Sequence, residues 1–303
     1  MRKIYLLSLL ACIVCVWGDA KRNSRFNFKT SRAVIVDRSD IYRSNRWMLQ
    51  GMDIWKNCMI SLEHTGWVNT YKLVNGKPVF QNHFPLTTQS KNNHCNVACF
   101  GKQFLNPGDS LPLLYITRCK TQAPDSLEQV LYVEHIDPVR KKCQLIQTIA
   151  YHGPENKIPH TTQWVVDNEH QMLIGFGNSR ESTGNRHFFQ KFRLPPYRGP
   201  QDSLIILTPD DLLESYFMED YYQKPFQPVL QGATCYKGNL LLVTGFGTEE
   251  RPSILYIWNI KKRCMLNIIN LQKDIPYEME DCTIRQDTLY VQTGVPYLFR
   301  IKL

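Results

Sequence analysis

The chain has 303 residues, 43% hydrophobic and 21% charged, with 36 Lys and Arg against 27 Asp and Glu and a formal net charge of +9. That charge forms no block of five like residues and no basic stripe interleaved with aromatics, which excludes a nucleic-acid-binding face. No phosphate-binding loop, dinucleotide fingerprint, His-Glu-x-x-His or Gly-x-Ser-x-Gly is present, which removes the enzyme classes those motifs serve.

The first 18 residues read as a targeting segment. Arg2-Lys3 is a positive start, Ile4 to Trp17 is an apolar stretch too short to span a bilayer, and Val16-Trp17-Gly18 sets a cleavage site near Gly18. Leu9-Leu10-Ala11-Cys12 also resembles a bacterial lipobox, which would tether the protein to a membrane through Cys12. The expected product is an exported bacterial protein in the periplasm, on the outer-membrane surface or outside the cell. Residues 19–29 form a linker, and residues 30–303 a single domain.

From Val34-Ile35-Val36 onward the chain is strand after strand. The pattern repeats, and it is plainest in Leu230-Gln231-Gly232-Ala233-Thr234-Cys235-Tyr236, a strand running through a Lys237-Gly238 turn into Asn239-Leu240-Leu241-Leu242-Val243. Leu49-Gln50-Gly51-Met52-Asp53-Ile54-Trp55 matches it without a gap, and Met279-Glu280-Asp281-Cys282 matches it with Glu280-Asp281 in the Gln-Gly place. Two further copies start at His94-Cys95-Asn96 and near His160-Thr161-Thr162-Gln163. Four strands in about 50 residues is the spacing of propeller blades, so the chain predicts five blades, with a sixth inside 188–230 as the rival. The fifth repeat ends at Leu303 after three strands, and Val34–Val36 is expected to supply its missing outer strand and close the ring.

One segment reads as a helix. Thr208 as N-cap, Pro209 at N1, Asp210 and Asp211 in the first turn, and an apolar stripe of Leu212, Leu213, Tyr216 and Phe217 predict a helix to about Tyr222. It is expected on the face where inner strands begin, with Tyr216 offering an aromatic wall to a ligand.

Removing the leader leaves eight cysteines: 58, 95, 99, 119, 143, 235, 264 and 282. A domain of this size buries a core without staples. Cys95 and Cys99, about 13 Å apart on an extended strand, are too distant to bridge. Most are expected to be buried small apolar residues.

The blade pattern, a glycine or small residue opening an inner strand before an apolar second strand, resembles the NHL-type and quinoprotein-like β-propellers. That resemblance implies an all-β fold. It leaves function open, since such propellers include sugar-cleaving, acyl-transfer and cyclase-like enzymes as well as binding modules.

Inner strands that all start at one end of the channel put their opening residues in a ring around its mouth. The ring comprises Gln50, Asp53, His94, Asn96, His160, Gln163, Gln231 and Glu280, polar where the strands behind are apolar. The reading is a binding module, acting as a monomer, that takes a glycan or peptide there. The alternative is a hydrolase or lyase on a sugar or acyl substrate, using Glu280 with Asp53 or His160. Cys95 or Cys282 beside His94 or His160 is the weaker nucleophile pairing. The cofactor is left unknown: Gln and His at the mouth could hold a central cation or water, and nothing in the sequence gives its identity.

Overall fold

The structure, a computed structural model, describes residues 28–29, 31–44, 48–119, 127–153, 162–178, 186–224, 226–227 and 229–303. The leader, Cys12, most of the linker and His160 lie outside them.

Five sheets make five blades, and in blades 1 to 4 the innermost strand comes first in sequence. Blade 1 is β2 (Leu49–Trp55), β3 (Cys58–Glu63), β4 (Trp67–Val74) and β5 (Lys77–Pro85). Blade 2 is β6 (Ala98–Phe100), β7 (Leu114–Arg118), β8 (Val130–Asp137) and β9 (Lys142–Tyr151). Blade 4 is β15 (Leu230–Tyr236), β16 (Asn239–Thr244), β17 (Ile254–Asn259) and β18 (Cys264–Asn270). The hairpins turn where a residue takes positive φ, as at Lys56 (52°), Lys237 (49°) and Gly238 (69°).

Closure is as the sequence predicts. Blade 5 is β19 (Met279–Arg285), β20 (Thr288–Thr293) and β21 (Tyr297–Lys302), and its fourth strand is β1 (Val34–Asp40) from the other end of the chain. The pairing is antiparallel, from Val34 opposite Lys302 to Asp40 opposite Tyr297. Arg300 crosses it to Asp37, with Nε donating to Oδ1 at 2.6 Å.

The Thr208–Tyr222 helix does not form. Thr208 does engage Asp211, whose carboxylate accepts from its N–H at 2.8 Å and its hydroxyl at 3.0 Å. The product is only a 3-10 turn, Pro209–Asp211, followed by strand β14 (Leu212–Phe217) and a second 3-10 turn, Met218–Asp220. Blade 3 explains this: it is β10 (Gln163–Asp167), β11 (Met172–Asn178), β12 (His187–Arg193) and then β14. The free edge of β12 needs a partner, and pairing satisfies it at the cost of a local helix signal. The segment touches the basic Lys261–Arg263 turn instead of covering the mouth: Arg263 donates to Glu214 at 2.8 Å and to the Tyr221 hydroxyl at 2.7 Å. Leu204–Leu207 is β13, a fifth strand lying parallel to β9 on blade 2. With β12, β13 and β14 assigned to blades 2 and 3, residues 188–230 hold no sixth blade.

Inner strands β2, β15 and β19 share one irregularity. Each carries a bulge at its opening: between Leu49 and Met52, between Leu230 and Ala233, and between Met279 and Asp281. The repeated Gln-Gly pairs and, in β19, Glu280 alone are therefore the bulge residues, while Asp281 pairs with Gln292. A bulge tightens the local twist and re-aims a side chain, which here brings Gln50, Gln231 and Glu280 to the axis.

Candidate functional site

The axial residues fall in two layers. The deeper one is structural. Asp281 Oδ2 accepts the Met52 N–H at 2.8 Å and the Ala98 N–H at 3.1 Å, while Oδ1 accepts the Cys282 N–H at 2.8 Å, so one carboxyl ties blades 5, 1 and 2. Asp53 does the same: it accepts from Phe100 N at 2.6 Å, Thr283 Oγ1 at 2.6 Å and Ile54 N at 2.7 Å. Burial pushes Asp53 up to about 6, against these three bonds. Its carboxyl is fully engaged between blades, so the expected Glu280–Asp53 pair is not assembled.

The mouth layer is built from all five blades. Gln50 is 3% exposed, and its side-chain amide hydrogen-bonds the Glu280 carboxyl while its backbone carbonyl accepts from the Gln292 side chain at 2.6 Å. Gln163, from blade 3, donates to the Leu230 carbonyl at 3.0 Å. Gln231, from blade 4, donates to Glu278 Oε1 at 2.6 Å, and Asn96, from blade 2, donates to the Gln231 carbonyl at 2.8 Å. The side-chain oxygens of Gln50 and Gln163 are buried and have no hydrogen-bond partner. Donors in this layer are spent on protein; acceptors are left over.

Glu280 is 2% exposed, and burial, then the charges of Glu278 and Asp281, hold its carboxyl well above the usual range against the Gln50 bond. Burial also raises Glu278, against the bond from Gln231. Two neighbouring carboxyls with raised pKa make this layer the functional-site candidate. Gly294 makes room for them, since a Cβ there would lie 2.7 Å from Glu280 Oε1.

The other expectations divide. His94 lies at the rim with φ 67°, its ring 4.3 Å from that of His64. Tyr216 is no wall: it is buried in β14, stacked 4.8 Å from Phe189, and its hydroxyl accepts the Trp258 indole N–H at 3.0 Å. Cys95 and Cys282 are fully buried, and burial drives both thiols well above their ordinary range, so neither is an activated nucleophile. All eight described cysteines are free thiols. Among the described residues no group of three or more His, Cys, Asp or Glu is placed to hold a metal.

Sequence reasoning missed Glu278 and Cys119. Glu278 has a signal, being two residues before Glu280 and so on the same face of an extended chain. Cys119 has none: it follows the second strand of blade 2 and meets the Gln163 amide and the field of Glu280 only through the closed ring.

No protein-family model matches the chain, and no curated protein matches it. Solved structures do. The glutaminyl cyclase of Myxococcus xanthus is 12% identical, with 89% of this chain and 95% of that one covered at a TM-score of 0.52. The designed protein Ika8 is 6% identical, covering 87% of this chain and 98% of its own, TM-score 0.41. BamB of Moraxella catarrhalis is 10% identical, covering 86% of this chain and 59% of its own, TM-score 0.34. At such identities the likeness to the cyclase is one of fold.

Proposed function

We propose that the protein is an exported binding module that takes a peptide at the mouth of the channel. The observation that carries this is the pair of buried, unpartnered oxygens on Gln50 and Gln163 beside the Glu280 carboxyl. An unsatisfied buried acceptor costs about 1–3 kcal/mol, which a ligand N–H recovers on binding. A sugar hydroxyl would serve as well, but Tyr216, the ring expected to stack on a sugar, is committed to Trp258. The blade pattern's resemblance to NHL-type and quinoprotein-like propellers supports a binding role, since modules of that kind occur among them.

Peptide and glycan arrays probed with the protein lacking residues 1–18 test the reading. Peptide binding should appear and weaken about tenfold in Gln50→Ala, with the far-UV circular dichroism of the wild type retained. Glycan binding alone, or peptide binding indifferent to Gln50, would overturn it.

One observation favours a catalytic second reading. A carboxyl held above its usual range keeps its proton to higher pH, which is the direction a general acid needs, and the fold carries an enzyme in the Myxococcus xanthus cyclase. The second carboxyl would then be Glu278, in place of Asp53. Mass spectrometry of bound peptides after incubation separates the readings: a changed peptide mass that requires Glu280 means catalysis, and an unchanged mass means binding.

A further inference from the structure

The mouth layer presents two carboxyls and two free amide oxygens, and neither carboxyl is ion-paired among the described residues. A ligand suited to this surface donates several hydrogen bonds from one small group and brings positive charge. We infer that the group recognised here is a primary ammonium, held by Glu280 and Glu278 with the side-chain oxygens of Gln50 and Gln163 as further acceptors. This rests on the peptide-binding reading and specifies which end of the peptide enters.

The geometry favours an ammonium over a guanidinium or a neutral amide. Three N–H groups pointing apart meet acceptors arriving from blades 1, 3 and 5, whereas a guanidinium wants coplanar acceptors on one edge. A neutral amide brings at most two N–H donors and no charge to draw the proton from Glu280.

The groups facing Glu280 set the pH behaviour. They are Glu278 just before its strand and Asp281 on it, the Cys119 thiol from blade 2, and uncharged Gln50 and Gln163 from blades 1 and 3. Blade 4 contributes Gln231, which is spent on Glu278. Arg43 stands at the rim, its Nη1 at 3.5 Å from the Gly294 carbonyl. Burial, then the acidic surroundings, raise the Glu280 carboxyl well above its usual range, so the empty site holds that proton more tightly than a solvated carboxyl does. An entering ammonium keeps its three protons, Glu280 gives up its one, and that proton passes to solvent. Binding therefore releases one proton, and affinity rises with pH until Glu280 ionises unaided. It falls again once the ligand amine loses its proton, above about 8 for a peptide terminus and about 10.4 for a lysine side chain, so the upper limb identifies the source.

The test uses three mixtures of random tripeptide amides: lysine-free with free amino termini, the same N-acetylated, and N-acetylated with one lysine. Calorimetry at pH 6 in two buffers of different ionisation heat reads affinity and proton release together. The inference expects binding of the first mixture, the third or both, at least tenfold weakening in the second, and one proton released per site. Glu280→Gln should abolish the release, and Glu278→Gln should weaken binding while keeping it. Equal binding of acetylated lysine-free peptides, or no proton released by the wild type, overturns the ammonium while the peptide reading stands. If no mixture binds, the peptide reading fails, and this inference with it.

Discussion

Single residues at the axis do opposite things with the same chemistry. Asp281 and Asp53 spend their carboxyls on backbone N–H groups of neighbouring blades, whereas Glu280 has one amide neighbour and two acidic ones. Because the folded chain holds the Glu280 proton more tightly than the unfolded chain does, the folded state binds more protons. Stability from this group falls as pH rises from about 4.3 to its raised folded value, and is flat above. Asp53, raised to about 6, acts with the same sign over the lower part of that window. Glu280→Gln should therefore melt higher than wild type at pH 8, the difference vanishing near pH 4; coincident melting curves at both pH values would refute this. Gly232 is constrained by space instead of charge. A Cβ there would sit 2.5 Å from the Asp281 Cα and the Glu280 carbonyl, neither of which can swing away. Gly232→Ala should cost about 1–3 kcal/mol and lower the melting temperature by several degrees in a thermal scan.

At the scale of elements, the segment from Thr208 to Asp220 shows how a local signal loses to a sheet edge. Its capping contact and its apolar spacing are both real, yet Leu212 and Phe217 pair with Phe192 and Phe188. Tyr216 then points into the interface between blades 3 and 4, where it meets Trp258. Tyr216→Phe should cost about 1–3 kcal/mol by orphaning the buried indole N–H and leave peptide affinity unchanged. Chemical denaturation measures the first and calorimetry the second; a selective loss of affinity would return Tyr216 to the site. The bulges are the other lesson. Gln-Gly and Glu-Asp were legible as a repeat, but only the pairing register reveals that both Gln-Gly pairs and Glu280 sit at bulges while Asp281 is paired, because register depends on the partner strand.

At the scale of the molecule, the ring is held by chain ends that meet. Val34–Asp40 covers the outer edge of β21, and without it that edge would be open to other chains. Deleting residues 31–40 should lower the melting temperature and produce concentration-dependent aggregation, read by light scattering; a monomer melting as wild type does would refute closure as the stabilising device. By itself the sequence determined the all-β class, five repeats, the closing strand and the polar openings of the inner strands, because periodicity and turn chemistry act over a few residues and leave a visible pattern. Only the tertiary structure decided that Asp53 and Asp281 are ties while Glu280 and Glu278 face the mouth, that Cys119 joins them, and that Tyr216 belongs to a strand. Those outcomes depend on which side chains the closed ring brings together from blades distant in sequence. They also depend on which buried donors find acceptors there, and no local pattern encodes that accounting.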